Sequence, residues 1–457
     1  MLPSTDQPFT KLKATIIFLL MLSLGYSQSL DSLDSYVQNE MLKRQIPGLS
    51  LAILKDGILI HKKSHGFSVV EHEVPAKDYT IYPLASLTKQ FIAAGILLLE
   101  QDGSLNLDAP IKHYLDSLPK KWQKLSLRQL LTHTAGLAPM EMEWKSLKIN
   151  GWPKHVTRKM LWDSAVEDTV PNLPGEHFAY HNVGYSLAVF IIEAITNADH
   201  RFFFKHRLFE PLGMRNTFFE DQTKVTPHQA EGYTLKDGQL AKIWRVGQED
   251  IGVGDGLYSN LEDMIKWVQA LNQHRLLTPQ QQDKMFTKAI LNNGESFHYG
   301  LGWWLPERNG IPYRYHNGIT GPEILSISKI GLDIIVLSNF GQGEFDEVRY
   351  WGLAQDIAGK FFLEDFQHRP VADKIPVPEP HRYVGSFAYE SEGTLDIYLK
   401  EGHLYLKDSY GEAKMIYLGN NAFTLQDDSV IFRFLDFDKI RVEEEFWNYD
   451  HALRIKQ

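Results

Sequence analysis

The chain has 457 residues, a formal net charge of −10, 43% hydrophobic and 23% charged residues, and no cysteine. Such a composition belongs to a globular protein with a large core and room for more than one domain. The acidic balance, with no basic run interleaved with aromatics, argues against a nucleic-acid partner, and the lack of cysteine excludes disulfides, thiolate metal sites, a cysteine nucleophile and a lipidated N-terminal cysteine.

Lys11 and Lys13 precede the apolar run Ala14 to Leu24, which ends at Gly25-Tyr26-Ser27. A basic start, a short apolar run and small residues at its end read as a secretory signal peptide over residues 1–27 rather than an uncleaved anchor or a buried helix. The run is shorter than the roughly 20 residues a membrane span needs, and no later segment reads as a span. The expectation is an exported chain, periplasmic or secreted, beginning near Gln28.

Leu30 to Gln45 has helical periodicity through Leu30, Leu33, Tyr36, Val37 and Met41. Leu49 to Leu54 and Ile58 to His61 are β-rich runs around Asp56-Gly57, a hairpin signal. Two strands followed by a long helix predict an α+β layout, an antiparallel sheet flanked by helices.

That helix carries the first chemical signal. Ala85-Ser86-Leu87-Thr88-Lys89 leads into the apolar run Phe91 to Leu99, which stops at Asp102-Gly103. Ser86 falls in the first turn, and residues three apart share a helix face, so the Lys89 amine is placed beside the Ser86 hydroxyl. A serine hydroxyl needs an adjacent base to become a nucleophile. Lysine serves as one only if its pKa falls from about 10.4 towards neutrality, which burial in an apolar helix favours. Serine and lysine at this spacing also recur by chance on solvated helices, so the pair needs partners.

Leu125 to Leu137 reads as a helix capped by Ser126 and stopped by Gly136, with His133 as a hydrogen-bonding structural histidine more than a catalytic one. A Pro174-Gly175 turn leads into Phe178-Ala179-Tyr180-His181-Asn182 and a helix from Tyr185 to Ile195. Tyr180 and Asn182 sit two apart in an extended loop, where both can face one cleft; a tyrosine near an ammonium loses its proton more easily and can share base duty, the alternative being a core tyrosine. Gly252-Val253-Gly254-Asp255-Gly256 lacks the spacing of a dinucleotide loop and reads as loop backbone. A helix from Leu261 to Leu271 follows. His316-Asn317-Gly318-Ile319 precedes the β-rich runs Ile324 to Ile330 and Asp333 to Leu337. It is either a plain turn or a strand edge whose glycine lets substrate approach and whose amide N–H can face an oxyanion.

From Gln367 to Arg382, Pro370, Pro376, Pro378 and Pro380 mark an extended linker. Short alternating runs from Tyr383 to Gln457, with turns at Glu401-Gly402 and Asn420-Asn421, predict a small all-β meander or barrel. No His-Glu-x-x-His or other metal-ligand pattern is present.

Ser86-x-x-Lys89, Tyr180-x-Asn182 and His316-x-Gly318, in that order, together resemble the penicillin-recognising serine hydrolases, the group of class C β-lactamases, DD-peptidases and esterases. Leu130 to Leu137, Pro211-Leu212-Gly213-Met214, Gly256-Leu257-Tyr258-Ser259 and Tyr299-Gly300-Leu301-Gly302-Trp303 look familial too. The resemblance implies the β-lactamase/transpeptidase-like α+β fold, with its sheet and an all-helical lobe, over residues 28–366. It also implies a linker at 367–382 and, more weakly, a lipocalin-like β-domain at 383–457. It implies Ser86 as acylated nucleophile, Lys89 and Tyr180 sharing the proton, Asn182 orienting the substrate amide and the lysine, and the amides of Ser86 and Ile319 as oxyanion donors, with His316 and Gly318 binding substrate. No cofactor is implied. His316 stands where β-lactamases usually carry lysine, and a histidine is a weaker, pH-dependent cation for a substrate carboxylate. The expected substrates are therefore small molecules or peptides, cell-wall peptides among them, cleaved by a peptidase or esterase more than by a β-lactamase. A non-catalytic penicillin-binding sensor or scaffold is the contrasting reading. Glu323 disfavours anionic substrates if it faces the cleft, and His181 is unexplained at this level.

Overall fold

The computed structural model describes residues 32–116, 118–137, 173–221, 224–236, 238–242, 256–341, 352–367, 376–389, 394–408, 411–425, 430–444 and 449–455. The leader-like residues 1–27, Gly252 to Asp255 and residues 368–375 of the proline-rich linker lie outside them.

A six-stranded antiparallel sheet is the frame. Its strands are β1 (Gly48–Lys55), β2 (Ile58–Val69), β3 (Val74–Pro75), β4 (Arg314–Asn317), β5 (Glu323–Ile327) and β6 (Leu332–Ser338), in the spatial order β4-β5-β6-β1-β2-β3. The first two form the hairpin expected around Asp56-Gly57, and both of those residues have positive φ. The chain returns some 260 residues later to pair β6 with β1, from Leu49 opposite Ser338 to Lys55 opposite Leu332.

Strand periodicity divides two cores. Ala52 and Leu54 of β1, with Ile335 and Leu337 of β6, face the core built by helix α2 (Thr88–Gln101). Leu51 and Ile53, with Ile334 and Val336, face the opposite core, which holds Leu33, Val37 and Met41 of helix α1 (residues 32–43). Helix α2 is buried along Thr88 to Leu99, apolar around its circumference, and stops where Gly103 takes φ +77°. Gly95 lets Phe204 pack against it, since a Cβ there would lie 2.8 Å from the Phe204 ring.

One element is shorter than its sequence pattern. The helix expected over Leu125 to Leu137 is only α3 (Leu127–Leu131), opened by a capping box between Ser126 and Gln129. It ends before Gly136 because His133 turns into the left-handed region at φ +58°. Helix α4 (Val183–Thr196) ends at a left-handed Asn197, and α5 (Leu261–Asn272) is capped by Asn260.

Beyond Pro380–Tyr383, eight antiparallel strands from Gly385–Tyr389 to Tyr449–Arg454 close into an up-and-down barrel, the last pairing with the first. The short alternating runs read from sequence fall on these strands. The turns at Glu401-Gly402 and Asn420-Asn421 fall where expected, all four residues having positive φ. Phe387, Leu406, Phe423, Phe432, Phe434 and Ile440 pack inside it. No helix among the described residues is long and apolar enough to cross a membrane.

Candidate active site

Ser86 lies in a tight turn, Ala85–Leu87, that runs into the N-terminus of α2. Ala85 takes φ +45°, a conformation that costs a non-glycine residue on the order of 1 kcal/mol. The surroundings hold it there: Leu84 N–H donates to Leu257 O (2.8 Å), Leu257 N–H donates to the Thr88 hydroxyl (3.1 Å), and Tyr82–Pro83 pairs with Leu257–Ser259.

One turn along, Lys89 is fully buried. Its Nζ lies 3.2 Å from Ser86 Oγ and donates to Asn182 Oδ1 at 2.8 Å. It also sits 5.0 Å above the Tyr180 ring and 5.6 Å from the Tyr185 ring. Burying an amine costs several kcal/mol unless polar partners surround it, and these groups supply them. Behind it, Gly302 presses on the Lys89 backbone: at φ +75°, an added Cβ would stand 2.7 Å from the Lys89 carbonyl.

Asn182 occupies the N-cap position of α4, where an asparagine ordinarily accepts a backbone N–H. Here it makes no cap bond. The neighbouring His181 caps instead, its Nδ1 accepting Gly184 N–H at 3.2 Å, and Asn182 Oδ1 is left for Lys89. This accounts for the histidine between Tyr180 and Asn182. A ring that accepts through Nδ1 while fully buried is neutral, and burial first, then Lys89, pushes its pKa down to about 3.

The third segment approaches from the sheet edge. Gly318 packs on the Ser86 turn so closely that a Cβ would lie 2.5 Å from Leu84 O and 3.1 Å from Ala85 Cβ. Its own N–H donates to Pro322 O and its carbonyl accepts Gly321 N–H, both at 2.8 Å, while the Thr320 hydroxyl donates to Pro83 O at 3.1 Å. Ile319 lies inside this turn, next to the serine-bearing one. The three segments therefore meet at the tip of α2.

One expectation is corrected, and one condition is not met. His316 is not a cation poised for a carboxylate. It is 1% exposed, its Nδ1 lies 2.8 Å from Asn317 O, and its Nε2 lies 3.0 Å from the Tyr299 hydroxyl. A carbonyl only accepts, so Nδ1 carries the proton and Nε2 accepts from the phenol. Burial, and secondarily Lys89, holds this neutral ring's pKa down at about 3. Glu323 does not face the cleft either. It is fully buried and accepts N–H bonds from Leu353 (3.3 Å) and Ala354 (3.2 Å), and burial pushes its pKa up to about 7.

Among the described residues, Glu193, Asp199 and His200 form a group with metal-ligand spacing. All three are already engaged: Glu193 Oε1 accepts from His200 N–H and meets its Nδ1 at 2.8 Å, and Asp199 caps the following helix through Arg201 N–H. Sequence reasoning named Tyr299 and Gly302 only as family-like residues. Their roles, on His316 and behind Lys89, depend on contacts that no spacing reveals.

The sequence pattern of the family described as Beta-lactamase matches residues 33–358. Penicillin-binding protein 4* of Bacillus subtilis (strain 168) is 29% identical over 395 residues, which cover 80% of this chain and 84% of that protein. The octameric penicillin-binding protein homologue from Pyrococcus abyssi shares the fold over 93% of this chain and 100% of that one, with a TM-score of 0.63 at 22% identity. D-amino acid amidase from Ochrobactrum anthropi SV3, complexed with L-phenylalanine, aligns with a TM-score of 0.58 at 25% identity over 67% of this chain and 91% of that one.

Proposed function

The chain belongs to the Beta-lactamase family, whose members are serine hydrolases, and from that premise we propose that it cleaves an amide or ester bond through an acyl-enzyme on Ser86. The observation that carries this reading is the buried Lys89 amine, 3.2 Å from Ser86 Oγ and held on its other side by Asn182 Oδ1.

In the first half-reaction Ser86 Oγ attacks the substrate carbonyl carbon, and its proton passes to Lys89 Nζ in the amine form, with the Tyr180 phenol sharing the relay. The carbonyl oxygen, now an anion, is received by the amides of Ser86 and Ile319. One such donor is worth about 3–4 kcal/mol of barrier. The tetrahedral centre collapses as the relay returns the proton to the departing amine or alcohol. Water then repeats the sequence on the ester of Ser86, giving up a proton to the same relay and releasing the acid.

The substrate class follows from His316. A neutral imidazole with both nitrogens engaged by Tyr299 and Asn317 offers a substrate carboxylate no charge. This favours peptidase, amidase or esterase action over β-lactam hydrolysis. Two of its relatives, a penicillin-binding protein and a D-amino acid amidase, support the amide side of that range. We also propose that the chain is exported, on the pattern of residues 1–27.

The test is turnover of p-nitrophenyl esters, D-aminoacyl amides and the β-lactam nitrocefin by the purified protein. The expected ranking places nitrocefin last. Stable labelling of Ser86 with no turnover of any substrate would convert the reading to a sensor, and neither labelling nor turnover would leave a scaffold.

A further inference from the structure

His133 is a fully buried histidine outside the three motifs, and more of its bonds than a core residue needs go to one tripeptide. Its carbonyl accepts Ala179 N–H at 2.8 Å. Its Nδ1 accepts His181 N–H at 3.2 Å. Its ring lies against the Tyr180 ring between them, with centroids 4.2 Å apart and planes tilted by 33°. The residues before and after Tyr180 are thus each hydrogen-bonded to His133, and the phenol ring is covered by it. The left-handed φ of +58° makes this possible by turning carbonyl and side chain toward the same strand of loop. That conformation is uncommon for histidine and persists only where neighbours enforce it.

The flanking bonds extend the grip. Thr134 O accepts Gly175 N–H at 2.7 Å, and Leu131 O accepts the Tyr185 hydroxyl at 2.6 Å. The end of α3 and the turn after it therefore hold the Tyr180 segment at both ends, with His133 at the middle.

We propose that His133 is a positioning residue that fixes the Tyr180 phenol relative to Lys89 and Ser86, so that proton transfer, rather than substrate binding, depends on it. The inference rests on the reading of Tyr180 as part of the proton relay. The inference gives His133 no proton to move: Nδ1 is occupied by a peptide N–H, and burial keeps the ring, tilted on Tyr180 and edge-on to His181 at 4.8 Å, neutral.

The prediction distinguishes this role from ordinary core packing. Removing a group that only fills space lowers stability and leaves the kinetics of the folded fraction alone. Removing a group that aims a relay lowers kcat and leaves KM in place. It also does nothing further once the relay group is gone.

The experiment measures kcat, KM and the pH profile of p-nitrophenyl ester hydrolysis for wild type, His133→Ala, His133→Asn, Tyr180→Phe and His133→Ala/Tyr180→Phe. Asparagine tolerates positive φ and keeps an acceptor where Nδ1 stood, so it serves as the conservative variant and carries the test if His133→Ala does not fold. The expected result is a 10- to 100-fold loss of kcat in His133→Ala with KM within about threefold, partial recovery in His133→Asn, and no added loss in the double variant. If neither His133 variant changes kcat by more than twofold, or if the losses multiply in the double variant, the inference is overturned. If Tyr180→Phe keeps full kcat while Ser86→Ala is dead, the relay assignment of Tyr180 fails and His133 falls with it, while the serine hydrolase reading stands.

Discussion

At the tip of α2, Lys89, His133, His181, Asn182 and His316 are buried side by side, whereas the barrel of residues 385–454 encloses Phe387, Leu406, Phe423, Phe432, Phe434 and Ile440. Among its described side chains only Thr424 is both polar and buried. Burying polar groups costs free energy unless each is satisfied. The chain accepts that cost in one region and avoids it in the other. The contrast matches the proposed division of labour: the interior proposed for chemistry is rich in buried polar groups, and the other is built by apolar packing.

The sharpest way to break the contrast is at its centre. Lys89→Met keeps the length of the side chain and removes the amine. The expected loss of kcat is about 10³-fold, in the range general acid–base groups provide, with the protein still folded by circular dichroism. Next is Gly318→Val. Its Cβ has no room against Leu84 O, so the edge that carries Ile319 must shift. Turnover should fall about 10²- to 10³-fold, the effect of losing one oxyanion donor, with the lysine contacts intact.

The barrel supplies the converse. Phe423 is fully buried and its ring meets those of Tyr383, Tyr417 and Phe434. Phe423→Ala should destabilise the barrel by about 3–5 kcal/mol, seen as a lowered transition in chemical denaturation, while kcat on a small ester stays within twofold of wild type. A large fall in kcat would join two regions that the contrast keeps apart.

Glu323 tests burial of charge directly. Its folded pKa is raised from 4.5 to about 7, so the native state holds the proton more tightly than the unfolded chain. The stabilisation is complete below about pH 4 and is lost as pH rises through 7, a change of about 3 kcal/mol. Wild type should therefore lose stability between pH 5 and pH 8, measured by urea denaturation, and Glu323→Gln should lose much less over the same interval. Equal slopes for the two proteins would contradict the burial assignment.

Much of this was legible in the sequence because it rests on local signals. The hairpin at Asp56-Gly57, the apolar helix that begins beside Ser86, the Ser126 cap and the paired turns of the barrel each follow from a few adjacent residues. The order of the three motifs pointed to their meeting. What stayed hidden depends on contacts between distant residues. His316 looked like a cation because spacing cannot show that Tyr299, 17 positions earlier, hydrogen-bonds its second nitrogen. His181 was unexplained because no spacing shows that its ring caps α4 through Gly184 N–H and so leaves Asn182 for Lys89. The α3 helix was read too long because a left-handed histidine gives no composition signal, whereas Gly136 does. Glu323 followed a motif glycine closely enough to suggest the cleft, yet the sheet turns it inward to Leu353 and Ala354.

The central claim is that an alcohol beside a buried amine becomes acylated. Intact-protein mass spectrometry after treatment with a fluorophosphonate, on wild type and Ser86→Ala, addresses it most directly. The account predicts one covalent adduct on wild type, mapped to the peptide containing Ser86, and neither adduct nor ester hydrolysis in the variant. An adduct on another residue, or full hydrolysis by Ser86→Ala, would contradict it.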